Sequence, residues 1–238
     1  MSPGNKAENI KKLLASPLGK NEVAFIFLGY SGVIVRASNQ TIIIDPADLL
    51  RDEERAALKT ADVLLYTHGH GDHYSSRSTA DIFKATGARV LAEPSVASEL
   101  KGNIPSDKLT SAIPGKAYTF GDIVINAIEG VHFGPITLYQ IKVGGLSIFH
   151  GGDSGYVPVK DYPADIAFLP TGSPSPTASP EDALKFASEL KPAVVVTIHG
   201  STGECREFES QAKKAMPATT VIIPEPYVLK TVTLQRKT

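Results

Sequence analysis

Cysteine is nearly missing from this chain, with Cys205 the single example in 238 residues. One thiol excludes an intramolecular disulfide framework and a zinc site built from several thiolates. An excess of either charge is missing too. The 24 Lys and Arg against 25 Asp and Glu leave a formal charge of -1, whereas a dedicated nucleic-acid binder meets its phosphates with a clear cationic excess. No apolar run reaches the ~20 residues that span a bilayer. The opening "MSPGNKAENIKKLLAS" has no apolar core of a secretion signal. A cytoplasmic protein with neither membrane nor nucleic-acid partner is therefore expected. No Ser/Gly-rich or strongly charged linker interrupts the middle, so a single domain over residues 1–238 is expected. "QAKKAM" and the terminal "TLQRKT" read as solvated faces.

What is present is apolar patterning of two kinds. A short helix fits residues 6–15, and "VAFIFLGYSGVIVRASNQTIIIDP" reads as a meander of strands with turns at Gly29, Gly32 and "SNQ". An alternating order follows: a strand over Asp62–Thr67, a helix over Ser75–Thr86, the strand "ARVLAE" and a short helix over Ser95–Lys101. A second β-rich stretch runs from Tyr118 through "DIVINAIEG" and "ITLYQIKVGGLSIFHGG", with Gly144 and Gly145 as a hairpin turn. The alternation then returns as "DIAFLP", a helix over Glu181–Leu190, "AVVVTIHG", a helix over Phe208–Met216 and "TTVIIPEP". Ser179, Pro180 and Asp182 supply an N-cap, a proline at the first helical position and a capping-box acid. Meander plus βα units, stated twice, predicts an α/β fold of two mixed sheets face to face with helices on both outer faces, an αββα sandwich.

The stretch "DVLLYTHGHGDHYSS" holds three of the chain's six histidines directly after an apolar strand. Residues two apart on an extended segment point to one side, so His68 and His70 can face a single metal ion. Gly69 and Gly71 permit a sharp turn that re-aims Asp72 and His73 towards a second ion. One loop cannot complete two coordination shells. The other candidates each stand where an apolar run stops: His132 after "INAIEGV", Asp153 after "LSIFHGG" and His199 after "VVVTI". Ligands collect outside the carboxyl ends of strands in α/β proteins, which would bring these groups to one rim.

In this order, "THGHGDH", "GVHFG", "HGGDSG" and "TIHG" resemble the metallo-β-lactamase superfamily of hydrolases over about Gly29 to Gly200. The resemblance implies that His68, His70 and His132 hold one ion, that Asp72, His73 and His199 hold the other, and that Asp153 bridges them. "GYSGVIV", "IIIDP" and "HGGDSGY" look more specifically like the branch containing ascorbate-6-phosphate lactonase, although Tyr30 stands where that branch often has His. Asp153 and the distant Cys205 speak against β-lactam hydrolysis, since several true β-lactamases place a metal-binding Cys at that position. By the same resemblance, Asp45 braces the histidine loop without touching metal.

Two divalent ions can share one water and lower its pKa to ~7. The expected function is thus a dinuclear hydrolase using a metal-bridging hydroxide on a small lactone, ester or phosphoester metabolite, with Asp72 steering the hydroxide proton. Zinc is the expected metal, and Mn, Fe or Ni suit the same ligands. Tyr30, Ser31 and Tyr156 lie in loops that could offer hydroxyls to the substrate, as could Thr171 and Ser173. His150 is open between a metal-site support and a packed core residue. A phosphodiesterase or nuclease of the same fold is one alternative, and a non-catalytic ligand sensor is another. Assembly into a homo-oligomer is left open by the residues.

Overall fold

A computed structural model describes residues 5–234. The first four residues and the Gln235–Thr238 part of "TLQRKT" lie outside that range. The chain forms two compact units, one from residues up to Ile113 with Glu225–Thr233, the other from Pro114–Pro224 with Leu234.

The first unit opens with helix α1 (Lys6–Ala15), whose Asn5 side chain caps the amides of Ala7 and Glu8. Three antiparallel strands follow: β1 (Glu22–Gly29), β2 (Gly32–Ala37) and β3 (Gln40–Ile44). After the short helix α2 (Asp52–Ala57) the pairing becomes parallel. Strand β4 (Val63–Tyr66) is apolar at every position because it is buried on both faces, as a central parallel strand must be. Helix α3 (Ser76–Thr86) is capped by Ser75 and ends at Gly87 in the left-handed conformation. Strand β5 (Arg89–Ala92), helix α4 (Pro94–Glu99) and strand β6 (Leu109–Ser111) complete the alternation. The far C-terminal segment Leu229–Thr233 pairs antiparallel with β1 and closes a seven-stranded sheet.

The second unit repeats this plan. Strands β7 (Ala117–Phe120), β8 (Ile123–Glu129), β9 (Thr137–Val143) and β10 (Leu146–His150) are antiparallel neighbours. Strands β11 (Ile166–Pro170), β12 (Val194–Ile198) and β13 (Thr220–Ile222) then add in parallel, giving another seven-stranded mixed sheet. Helices α5 (Pro180–Leu190) and α6 (Thr202–Ala215) supply the crossovers. The strand at Leu229–Thr233, numbered β14, occupies in the first sheet the edge place that β7 holds in the second.

Each unit buries its own apolar cluster. Ile10, Ile34, Leu64, Ile82 and Val90 meet in the first, and Leu138, Phe149, Phe186, Val195 and Phe208 in the second. Truncating any of the larger ones to Ala would cost about 2–5 kcal/mol. The architecture is the expected pair of mixed sheets flanked by helices, with local differences. Helix α6 begins at Thr202, well before the expected Phe208, because Ser201 and Glu204 form a capping box. The expected capping acid Asp182 instead turns its carboxylate to Lys185 at 3.0 Å. Helix α2 and strands β6 and β14 were not anticipated from the sequence; all are short or half-exposed. No helix of the described residues is long and apolar enough to cross a membrane.

Candidate metal centre

In the first unit the candidate ligands follow β4, and a buried carboxylate organises them. Asp45, the residue after β3, sits at a positive φ of 45° and is fully buried. That backbone geometry is rare outside glycine and is tolerated best by Asn and Asp. It turns the side chain so that Oδ1 accepts the Thr67 amide at 2.8 Å, while Oδ2 accepts the Thr67 hydroxyl at 2.6 Å and pairs with His73 Nδ1 at 2.9 Å. A carboxylate without a proton can only accept, so His73 donates Nδ1–H, which in the neutral ring leaves the lone pair on Nε2. The Thr67 oxygen also lies 3.1 Å from His68 Nδ1. Because the single hydroxyl hydrogen goes to Asp45, that oxygen accepts from His68, which likewise keeps its lone pair on Nε2.

The loop packs its imidazoles together. Ring centroids of His68 and His70 are 4.5 Å apart, and those of His68 and His73 are 4.1 Å apart. Asp72 Oδ2 stands 3.8 Å from His73 Nε2 and stays partly open to solvent. Amides of His73 and Tyr74 bond the His70 carbonyl, closing the loop into a single turn.

In the second unit the candidates arrive on separate loops. His132 follows β8, Asp153 follows β10 and His199 follows β12. Asp153 Oδ2 lies 3.5 Å from His132 Nε2 and 3.7 Å from His199 Nε2, and all three side chains are nearly inaccessible. A backbone bridge between Val131 and Gly155 ties the first two loops, with the Val131 amide also reaching Ser154 Oγ at 2.9 Å. His199 has a positive φ of 41°, and its carbonyl accepts the amides of Thr171 and Gly172. Such strained residues persist where surrounding bonds over-determine them, commonly at functional sites.

The supporting residues take different places in the fold. His150 is a packed histidine that also shapes the chain: its Nδ1 accepts the Gly152 amide at 3.1 Å, fixing the turn that delivers Asp153. Tyr156 donates its hydroxyl to Glu189 at 2.6 Å. Ser31, beside Tyr30 in sequence, is fully buried. Tyr30 is 45% exposed in the turn between β1 and β2, at a positive φ of 47°. Thr171 is buried with Oγ1 near Cys205, and Ser173 is held by Glu204. Three residues that the sequence did not flag are Thr67, Ser175 and Thr177; an isolated hydroxyl carries no signal until its partners are known.

The donor set fits a divalent cation. Neutral imidazoles with lone pairs on Nε2 and nearby carboxylate oxygens are the groups that hold Zn, Mn, Fe or Ni, and these His and Asp groups have the capacity for one or two such ions. Each Nδ1–H given to an oxygen is the usual companion of a ligating Nε2.

Comparison with known proteins agrees. The sequence pattern of the beta-lactamase superfamily domain matches residues 24–199. A UPF0173 metal-dependent hydrolase of Lysinibacillus sphaericus is 32% identical, over 73% of this chain and 83% of its own. One from Thermococcus kodakarensis is 30% identical, over 74% and 84%. Among solved structures, the metallo hydrolase Igni18 of Ignicoccus hospitalis superposes with a TM-score of 0.75 at 23% identity, covering 90% of this chain and 100% of that one. The metallo-beta-lactamase fold protein YhfI of Bacillus subtilis gives 0.67 at 12%, covering 89% and 100%. These two likenesses concern the fold alone.

Proposed function

Because the chain belongs to the metallo-β-lactamase superfamily, we propose that it is a dinuclear metal-dependent hydrolase of a small, uncharged lactone or ester. The observation that carries the reading is the histidine loop, in which three imidazoles pack against each other while His68 and His73 commit Nδ1 to oxygen acceptors. In this reading His68, His70 and His132 would hold one ion, Asp72, His73 and His199 would hold the other, and Asp153 would serve both. That division rests on the family's pattern. Zinc is the first choice of metal.

Bound ions would supply Lewis acidity for the substrate oxygen and a water acidic enough to react at neutral pH. The chain's own residues do the rest. Asp72, partly open to solvent, takes the proton of the attacking water on its carboxylate and orients it. Asp45 holds His73 and, through Thr67, His68, so that neither ring reorganises as charge develops. Tyr30, exposed at its turn, is kept as a substrate contact.

The preference for a neutral carbonyl substrate rests on charge. The ligand-bearing loops "THGHGDHYS", "GVHFGPI", "GGDSGY", "TGSPSPTAS" and "HGSTGE" contain neither Lys nor Arg. A nucleic-acid site normally places such cations along the phosphates, and a phosphoester without them leans on the metal ions alone. The closer kinship to ascorbate-6-phosphate lactonase rests on the quoted motifs alone, and the phosphorylated half of such a substrate is not part of this proposal. A small-molecule substrate in the cytoplasm completes the reading.

Elemental analysis of the purified protein, coupled to a panel of lactones, carboxylic esters and phosphodiesters, tests it. We expect up to two transition-metal ions per chain and turnover of a lactone or ester that His68→Ala and His199→Ala abolish. Absence of retained metal would overturn the metal assignment, faster phosphodiester turnover the substrate class, and silence across the panel with one tight small-molecule ligand would favour a sensor.

A further inference from the structure

In the second unit the support of His132 comes from a hydroxyl. Its Nδ1 lies 3.1 Å from Thr177 Oγ1, on the loop after β11. That hydroxyl is also 3.2 Å from the carbonyl oxygen of Asp153. A carbonyl only accepts, so the one assignment that makes both contacts hydrogen bonds gives the Thr177 hydrogen to Asp153 and has its oxygen accept Nδ1–H from His132. His132 is then fixed with its lone pair on Nε2, the atom 3.5 Å from Asp153 Oδ2.

Thr177 is itself held in place. Ser175 Oγ donates to the same Asp153 carbonyl at 2.6 Å and accepts the amides of Thr177 and Ala178 at 3.3 and 3.2 Å. The loop runs so close to the Asp153 segment that a Cβ on Gly155 would meet the Thr177 carbonyl oxygen at 3.0 Å. At its other end, Ser173 gives its amide and hydroxyl to the Glu204 carboxylate, and the place of a Gly172 Cβ is filled by that same carboxylate. Glu204 belongs to the first turn of α6, which begins just after His199. One loop therefore touches the supports of His132, Asp153 and His199.

We propose that residues 171–178 form a strap in which Thr177 is a positioning residue: it selects the His132 tautomer competent to bind metal and, with Ser175, fixes the placement of Asp153. The inference rests on the metal reading above for its purpose, but not for its measurement. It repeats the arrangement in the first unit, where Thr67 donates to an oxygen of Asp45 and accepts from His68.

The test is the His132 tautomer, read from ring 15N shifts of the metal-free protein at a pH where the ring is neutral. The wild type should show protonation at Nδ1. Thr177→Val should shift His132 towards a mixture of tautomers and weaken metal affinity by about 10–100-fold, and Thr177→Ser should restore both. An unchanged thermal midpoint of metal-free Thr177→Val would separate positioning from mere packing. Two results overturn the proposal: a wild-type His132 protonated at Nε2, whatever the variants do, or a Thr177→Val protein with wild-type tautomer and metal affinity. If no metal binds at all, the functional reading falls, while the tautomer still decides the strap.

Discussion

The two units share a sheet plan, four antiparallel strands followed by parallel ones, yet they load it with chemistry in opposite ways. The first concentrates His68, His70, Asp72 and His73 in one loop and stabilises them with one buried carboxylate, Asp45. The second spreads His132, Asp153 and His199 over three loops and ties them with hydroxyls, a backbone bridge and the Glu204 carboxylate. A single-loop site has one point of failure. A distributed one shares its support among several bonds, most of them between neutral groups, which contribute about half as much each as charged ones.

The sharpest way to break this contrast is Asp45→Ala. The substitution removes the acceptor of three buried hydrogen bonds and leaves the Thr67 amide and His73 without it. Leaving a buried donor without its acceptor costs about 1–3 kcal/mol for each such donor. Urea unfolding of the metal-free protein should show a fall of that size, whereas Thr177→Val should lose far less. Equal losses would erase the distinction between a single brace and a shared one.

A smaller effect is expected at Glu204, which bonds the Ser201 amide at 2.7 Å as well as Ser173. Burial pushes its carboxyl up, but hydrogen bonds from Ser201 and Ser173 outweigh it and hold the pKa at about 2, below its ordinary 4.5. A carboxylate depressed on folding stabilises fully above its unfolded pKa and loses that contribution as pH falls through the folded one. Glu204→Gln should thus be less stable by about 1–2 kcal/mol at pH 7, with the gap closing between about pH 4.5 and pH 2. A gap independent of pH would mean that charge has no part in anchoring the strap.

The same contrast explains what could be read from the residues. The histidine loop is a local pattern, and a local pattern survives in one dimension: spacing, glycines and the preceding apolar strand are all adjacent. Both sheets were legible for a similar reason, since β4 and β11 are unbroken apolar runs, β12 is broken only by Thr197, and all three are buried at every position. Strand β14 was not, because an edge strand with no buried position and only Leu229 and Val232 half-buried resembles any polar tail until β1 is found beside it. Thr177 was hidden differently. Within "TGSPSPTASP" it is one hydroxyl among many, and only the meeting of that loop with His132 and Asp153, more than twenty residues away in sequence, distinguishes it. The start of α6 was there to be read, in the Ser201 and Glu204 capping pair.

The smallest effect on stability, and the most informative for specificity, is expected at Phe133. Its side chain is 69% exposed and that of Val131 is 52% exposed, one on each side of His132. The backbone beneath them is not loose, because the Val131–Gly155 bridge and Ser154 hold it. A rigid loop that keeps two apolar side chains in solvent gains nothing from them on folding, so Phe133→Ala should alter unfolding by less than about 0.5 kcal/mol. If an ester's acyl arm lies over this pair, the cost falls on binding instead. For a hexanoyl ester KM should rise roughly three- to tenfold, from partial loss of apolar contact, while an acetyl ester, too short to reach, stays within about twofold and kcat is unchanged for both. Equal effects on the two esters would move the acyl arm elsewhere and leave the Val131–Phe133 pair without a part in substrate choice.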